Sequence, residues 1–249
     1  MLQFFRKIRQ KLLITGKTTK YVNYALGEII LVVIGILIAL QINNWNENRK
    51  LQAKSLNYLK RLKIDLDNVS SDVNRSFKST QRKFKQARTA LEALENKKLL
   101  PSQRVPFEKH LLQYFQFQIT IQNTTAYNEM ISSGDLGLIE NQWLRTEFAE
   151  LADSRDFILE VNQSNHSAYK TNANMIEKYV RYTIINQDTD SSRVKVNYNF
   201  DHMANDDFFI NQISNQAYTW WDILRMYESY ETQVNTVRDS IVAELKRFD

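Results

Sequence analysis

The 249-residue sequence has few of the residues that build tight turns and none of the residues that cross-link chains. It contains five glycines, two prolines and no cysteine. Strands joined by short turns depend on glycine and proline, so we expect little β-structure and a small number of long helices. Without cysteine, the chain forms no disulfide, no thiolate nucleophile and no cysteine-ligated zinc site.

Motifs that carry common enzyme chemistry are also missing. The sequence has no glycine-rich phosphate loop, no Gly-x-Ser-x-Gly elbow and no His-Glu-x-x-His helix. The three histidines are far apart in sequence and lack the spacing of metal ligands: His110, His166 and His202. These patterns predict no catalytic residue, no metal, no cofactor and no enzyme activity.

The net charge of +5 belongs to the N-terminus rather than to the whole chain. Residues 1–27 carry six Lys or Arg residues and no acidic residue, whereas residues 29–249 carry 27 basic and 27 acidic residues. A protein that binds nucleic acid needs a basic face on its soluble part. The distribution therefore argues against nucleic acid as a partner.

One long apolar run begins directly after a carboxylate. Residues 29–40 are apolar without a break and follow Glu28. As a helix, residues 21–42 would be ~33 Å long, which matches the hydrocarbon core of a bilayer. The apolar residues cover every face of that helix, and no signal-peptide cleavage site follows them. We predict a transmembrane helix over 21–42 that anchors the chain in a lipid bilayer.

The basic residues that flank this run predict its orientation, because Lys and Arg near the ends of a span stay in the cytoplasm. Residues 1–20 also have an apolar face, which predicts a basic amphipathic helix in the cytoplasmic interface. We therefore expect a single-pass protein of a bacterial inner membrane. Its N-terminus would lie in the cytoplasm and residues 43–249 would lie in the periplasm.

Small residues near Glu28 predict a contact between membrane helices. Gly35 and Ala39 form a small-xxx-small pair that lets two helices approach closely, and Gly27 lies two turns before Gly35. We interpret Gly27, Glu28, Gly35 and Ala39 as a seam for self-association. Two alternatives stay open: the Glu28 carboxylate reaches the headgroups without a partner, or it belongs to an ion or proton path.

The N-terminal residues are similar to those of a known family. The segments "FFRKIRQKLL" at 4–13 and "GEIILVVIGILIALQINNWNE" at 27–47 resemble the signature of a Bacteroidota family of single-span membrane proteins of unknown function. The segment "SSGDLGLIENQWLR" at 132–145 resembles an internal motif of that family. The resemblance implies an inner-membrane protein with a helical extracytoplasmic domain, and it implies no activity or catalytic residue.

Apolar residues recur at three- and four-residue steps along the rest of the chain, which predicts amphipathic helices. These helices cover about 46–98, a short stretch starting at Pro106, 124–133 ending at Gly134, 140–186 and 206–248. The segment "VKVNYNF" alternates like a strand but has no obvious partner. The predicted fold is all-α: one N-terminal transmembrane helix, which can continue into the first long helix, followed by an elongated extracytoplasmic helical bundle.

Two groups of residues in the bundle are candidate sites. Asn165 and Asn172 occupy seam positions of a predicted helix, where polar residues fix the register or line a polar pocket. Tyr218, Trp221 and Arg225 share one face of the last helix, and this composition is typical of interface hot spots. A wide buried face in a bundle is the alternative interpretation of that second group.

These features favour a membrane-anchored interaction or scaffold protein. We expect it to act as a homo-oligomer in the periplasm, with a further envelope protein as a second kind of partner. Two other functions fit the same sequence. One is a channel or proton-driven component assembled around Glu28, and the other is a periplasmic sensor that holds a small molecule at Asn165 and Asn172.

Overall fold

The computed structural model describes residues 18–117, 121–171, 173–185 and 194–248. The fold is all-α with a short two-stranded hairpin among the described residues. The chain divides into two compact units, Met1–Ser55 and Leu56–Asp249. Most of the predicted interfacial helix, 1–20, lies outside the described residues.

Helix α1 spans Thr18–Glu95 and belongs to both units. The prediction that the membrane helix continues into the first long helix is therefore confirmed. Part of α1 is long and apolar enough to cross a membrane, and none of its most apolar window is buried against protein. A single span fits this stretch by length and composition.

In the second unit, α1 buries one face from Tyr58 to Leu94. Helix α2 follows at Pro101–Leu112, so the predicted start at Pro106 is wrong. Proline fits the first turn of a helix because its missing N–H has no partner there, and Pro101 holds that place. The N–H of Leu100 donates to Gln103 Oε1 at 3.1 Å and completes the helix start.

Helix α3 spans Thr125–Ser133 and ends where the sequence predicts. Gly134 adopts the left-handed conformation, with φ of 74°, which glycine adopts without steric cost. A single 3₁₀ turn, Asp135–Leu138, leads to the buried Ile139. This segment separates α3 from the next helix, and its Leu136 and Leu138 are only partly buried.

The helix predicted over 140–186 is too long at its C-terminal end. Helix α4 spans Gln142–Thr171, helix α5 spans Ala173–Tyr179, and strand β1 follows at Val180–Ile184. The β-branched residues of this stretch favour a strand over a helix. The predicted strand exists as β2, Val194–Tyr198, and β1 is the antiparallel partner that the sequence did not reveal.

The last predicted helix, about 206–248, is confirmed within three residues at its ends, and a short unpredicted helix precedes it. Helix α6 spans Phe200–Ala204 and helix α7 spans Asp207–Leu245. Asp206 caps α7 by accepting from the N–H groups of Phe208 at 2.9 Å and Phe209 at 3.2 Å. The Asp206 carboxylate also accepts from Tyr179 and Lys178, and these hydrogen bonds lower its pKa to about 2.

One apolar core joins these elements within the second unit. Its largest fully buried side chains come from α1, α2, α4 and α7 and the segments between them, with Trp220, Tyr114, Tyr227 and Phe107 the largest. Helices α4 and α7 pack along each other. The hairpin is attached to α2, since the Tyr182 hydroxyl donates to the Leu111 carbonyl at 2.9 Å. This core fixes the position of every side chain discussed below for the second unit.

Candidate functional site

The predicted seam lies on the part of α1 that is exposed in the single chain. A Cβ added to Gly27 or Gly35 would meet no neighbouring heavy atom of the described structure within 4 Å. Ala39 is exposed and Glu28 is half-buried. Among the described residues, therefore, no contact requires a small residue at Gly35.

The predicted face on α7 is exposed and already ordered by its own contacts. Tyr218 is 64% exposed and Trp221 is 40% exposed. Their ring centroids are 5.7 Å apart, and the Arg225 guanidinium carbon lies 5.0 Å from the Trp221 ring centroid. The three residues thus form one contiguous surface, which we call the aromatic face.

The third predicted site is the asparagine pair Asn165 and Asn172. Asn165 is half-buried, and Asn172 lies outside the described residues. The fully buried asparagine of α4 is Asn162, whose side-chain amide donates to the Ile158 carbonyl at 2.7 Å. The buried stripe of α4 passes through Asn162 and Tyr169 instead of the predicted seam position Asn165.

A cleft of about 840 Å³ lies in the second unit, and it was not predicted from the sequence. It lies where α1, α2 with its C-terminal turn, and α4 meet. Its basic lining residues are Arg82, Lys83 and Lys109. Its other lining residues are Ser79, Gln86, Leu112, Gln113, Phe115, Gln116 and His166. We call this the basic cleft.

An aromatic stack lies next to the basic cleft. Phe117 stacks on Tyr169 at 4.8 Å and on Trp220 at 4.4 Å between centroids, with interplanar angles of 10° and 11°. The Lys83 ammonium lies 4.8 Å from the Trp220 ring centroid and also donates to the Gln116 carbonyl. Lys83 is therefore held at a fixed place at the base of the cleft.

Two bases near the cleft have shifted pKa values. Burial, aided by the nearby Arg82 charge, lowers the pKa of Lys83 to about 8. Burial alone lowers the pKa of His110 to about 4. Both shifts follow because a low-polarity environment disfavours the charged form of a base.

The three- and four-residue spacing along α1 contains a pattern that indicates the cleft. Steps of three and four residues from Leu59 lead through Leu62, Leu66, Val69 and Val73, and then through Ser76, Thr80 and Lys83 before Ala87, Ala90 and Leu94. Ser76, Thr80 and Lys83 are polar residues in the middle of an apolar seam. A lysine at a seam position lowers the stability of a helix pair.

Among the described residues, no group of three or more His, Asp or Glu side chains is placed to hold a metal ion. His110, His166 and His202 therefore form no such group in the described part of the structure.

The chain matches the profile of one family, described as "Family of unknown function (DUF6090)", over residues 28–213. The matched span contains Glu28, Gly35, Ala39 and every residue that lines the basic cleft, and it ends before the aromatic face. No curated protein and no solved structure is significantly similar to the chain. The match covers most of the sequence, so the chain belongs to this family of unknown function, DUF6090.

Proposed function

We propose that the chain is a membrane-anchored interaction protein that assembles as a homo-oligomer. In this proposal, α1 crosses a bacterial inner membrane once, with the N-terminus in the cytoplasm. The unit Leu56–Asp249 forms a helical bundle in the periplasm. The observation that carries the proposal is the aromatic face, an exposed surface on which Tyr218, Trp221 and Arg225 contact one another.

The composition and order of the aromatic face favour binding. Tyr, Trp and Arg are the residues that most often dominate the binding energy of interfaces. Arg225 lies over the Trp221 ring and Tyr218 contacts that ring at a tilt of 40°, which restricts the three side chains before any partner arrives. Binding then loses less side-chain entropy, which amounts to roughly 0.5–1.5 kcal/mol for each long side chain immobilised. We assign this face to a second copy of the chain.

The membrane stretch of α1 supports the same assembly. Its glycines are open on the surface of the single chain, which permits close approach of a second helix. Such an approach brings copies to high local concentration, so a moderate contact at the aromatic face is sufficient for assembly.

The decisive measurement is the mass of the full-length particle in mild detergent. We expect Trp221→Ala to reduce the assembled fraction several-fold and to leave the melting temperature of the helical domain almost unchanged. Phe157→Ala is the matched control, since Phe157 is an exposed aromatic residue on α4 outside the aromatic face. A lowered melting temperature with an unchanged mass would reduce Trp221 to a packing residue. An unchanged mass together with an unchanged melting temperature would contradict the assignment of the face to a second copy.

The orientation has its own test. A reporter that is active only in the periplasm, fused after Asp249, should be active, and a reporter that is active only in the cytoplasm should be silent at the same place. The reverse result would overturn the orientation, because the basic flank would then lie outside the cytoplasm.

A further inference from the structure

We propose that the basic cleft is a binding site for a small anion that also carries hydroxyl groups, such as an acidic or phosphorylated sugar. The cleft lies wholly within the second unit, and this site does not depend on the assembly proposed above. Its volume of about 840 Å³ falls within the range of small-molecule sites, roughly 300–1,000 Å³.

Three positive charges from two helices line the cleft without a balancing carboxylate. Arg82 and Lys83 come from α1, and Lys109 comes from α2. Within the described residues, none of the three forms an ion pair. Elsewhere on α1 several cations form ion pairs with acidic residues, as Lys63 does with Asp67 at 2.7 Å. Like charges gathered around one cavity repel each other, and a bound anion removes that repulsion.

Lys83 differs from a surface lysine in where it lies. It occupies a seam position of α1, with its ammonium over the Trp220 ring and one hydrogen bond to the Gln116 carbonyl. An ammonium has three donors, so it can still donate to a ligand in the cleft. The lowered pKa of Lys83 agrees with a charge that is only partly compensated by its surroundings.

The hydroxyl groups of the ligand are inferred from polar atoms in the cleft lining. Gln86 Oε1 and His166 Nδ1 are buried and have no hydrogen-bond partner among the described residues. A buried carbonyl oxygen without a donor costs roughly 1–3 kcal/mol, so a ligand that donates to it is favoured. Gln113 and Gln116 add amide groups to the lining, while Leu112 and Phe115 offer an apolar surface to a sugar ring.

Calorimetric titration of the full-length chain in detergent tests the site with matched pairs of probes. Glucuronate is compared with glucose, and ribose phosphate is compared with ribose, so that each pair differs in its anionic group. We expect both acids to bind and both neutral sugars to bind at least roughly tenfold more weakly. If only one acid binds, the anionic group is identified as carboxylate or phosphate.

Variants then locate the binding. Arg82→Gln and Lys109→Gln should each weaken binding of the acid roughly tenfold, and Arg82→Lys should recover part of the loss. Both residues are exposed, so their replacement should leave the melting temperature unchanged. The matched controls are Lys78→Gln and Lys85→Gln, which remove exposed α1 cations outside the cleft and should not change the affinity.

Proton uptake gives an independent measurement. Arg82, Lys109 and His166 are the other titratable groups of the cleft, and none of them is an acid. A bound anion favours the charged form of Lys83, so binding at about pH 9 should take up a fraction of a proton per ligand. Lys83→Met should abolish that uptake.

Three results would overturn the proposal. One is that neither acid binds more tightly than its neutral counterpart. Another is that Lys85→Gln weakens binding as much as Arg82→Gln, which would mean diffuse charge attraction. The last is that binding of the acid at about pH 9 takes up no proton.

Discussion

Two stretches of helix α1 differ in how their side chains are exposed and buried. Between residues 29 and 42 of α1, every side chain is exposed in the single chain, although nearly all are apolar. Between Leu59 and Leu94, the same helix buries one seam and exposes the rest. The backbone geometry is the same in both stretches. Apolar residues on every face of a helix suit an apolar surrounding, whereas an apolar stripe suits packing against neighbouring elements on one side.

The comparison also shows where the packed stretch departs from a simple seam. Its apolar residues give way in the middle to Ser76, Thr80 and Lys83. Around Lys83, the neighbouring helices leave the basic cleft instead of a closed core. A helix built only for stability would place apolar residues there, so this stretch combines packing with a polar site.

Replacing one leucine in each stretch should separate them most clearly. Leu66 is 0% exposed and Leu37 is 59% exposed. We expect Leu66→Ala to lower the free energy of unfolding of the helical domain by about 2–5 kcal/mol, because it leaves a cavity in the core. Leu37→Ala should change it by less than about 0.5 kcal/mol. Urea denaturation in detergent measures both, and equal losses would contradict the division of α1.

Acid should destabilise the packed stretch of α1, residues 59–94, and leave the apolar stretch, residues 29–42, unchanged. His110 is buried as the neutral form, with a pKa of about 4 against an ordinary 6.5, so the unfolded chain binds a proton first as the pH falls. Stability is therefore complete above pH 6.5 and is lost between pH 6.5 and about 4, by about 3 kcal/mol in total. His110→Gln should flatten the dependence. Amide exchange should rise in residues 56–95 and stay slow in 29–42, and a uniform rise would contradict the comparison.

Gly35→Leu should affect only contacts outside the chain. A Cβ added at Gly35 meets no neighbouring heavy atom of the described residues within 4 Å, so the domain should melt at the same temperature. If a second helix packs at Gly35, the substitution should weaken self-association roughly tenfold or more, about 1.4 kcal/mol, by steric exclusion. Mass measurement in detergent decides, with Leu31→Ile as the control on an exposed apolar position. An unchanged mass would place Gly35 against lipid.

The smallest effect is expected for Glu28→Gln. Hydrogen bonds between membrane helices average ~0.6 kcal/mol, so the oligomer should persist with only slightly altered affinity. The same variant separates the seam from an ion path, because a conducting wild-type protein in reconstituted vesicles would lose its current on this change. Conduction by the wild type would overturn the seam as the role of Glu28.

The sequence predicted the features that repeat along the chain. The apolar stretch long enough to span a membrane, the unbroken first helix and the cap at Gly134 all follow from composition, from periodicity or from one residue with a defined backbone preference. The exposure of Tyr218 and Trp221 fits their position beside the buried stripe of α7. Such features are local, so the nearest few residues are sufficient to define them.

The remaining features depend on contacts between distant residues. Strand β1 was predicted as helix because its partner β2 begins ten residues after β1 ends, and pairing outweighs the helical pattern that precedes β1. The basic cleft joins Lys83, Lys109 and His166, which no single segment brings together. The seam of α4 passes through Asn162 and Tyr169 because packing against α7 selects among neighbouring stripes.

The stack of Tyr169, Phe117 and Trp220 has a spectroscopic consequence. Trp220 is 2% exposed, whereas the other three tryptophans, Trp45, Trp143 and Trp221, are at least 40% exposed. An indole held in apolar surroundings emits at shorter wavelength than one in water, so the blue edge of the emission belongs mainly to Trp220. The Lys83 ammonium 4.8 Å away acts on the excited-state dipole of that indole. A change in the charge or position of Lys83 therefore shifts the wavelength of the tryptophan emission, which is measured in unlabelled protein.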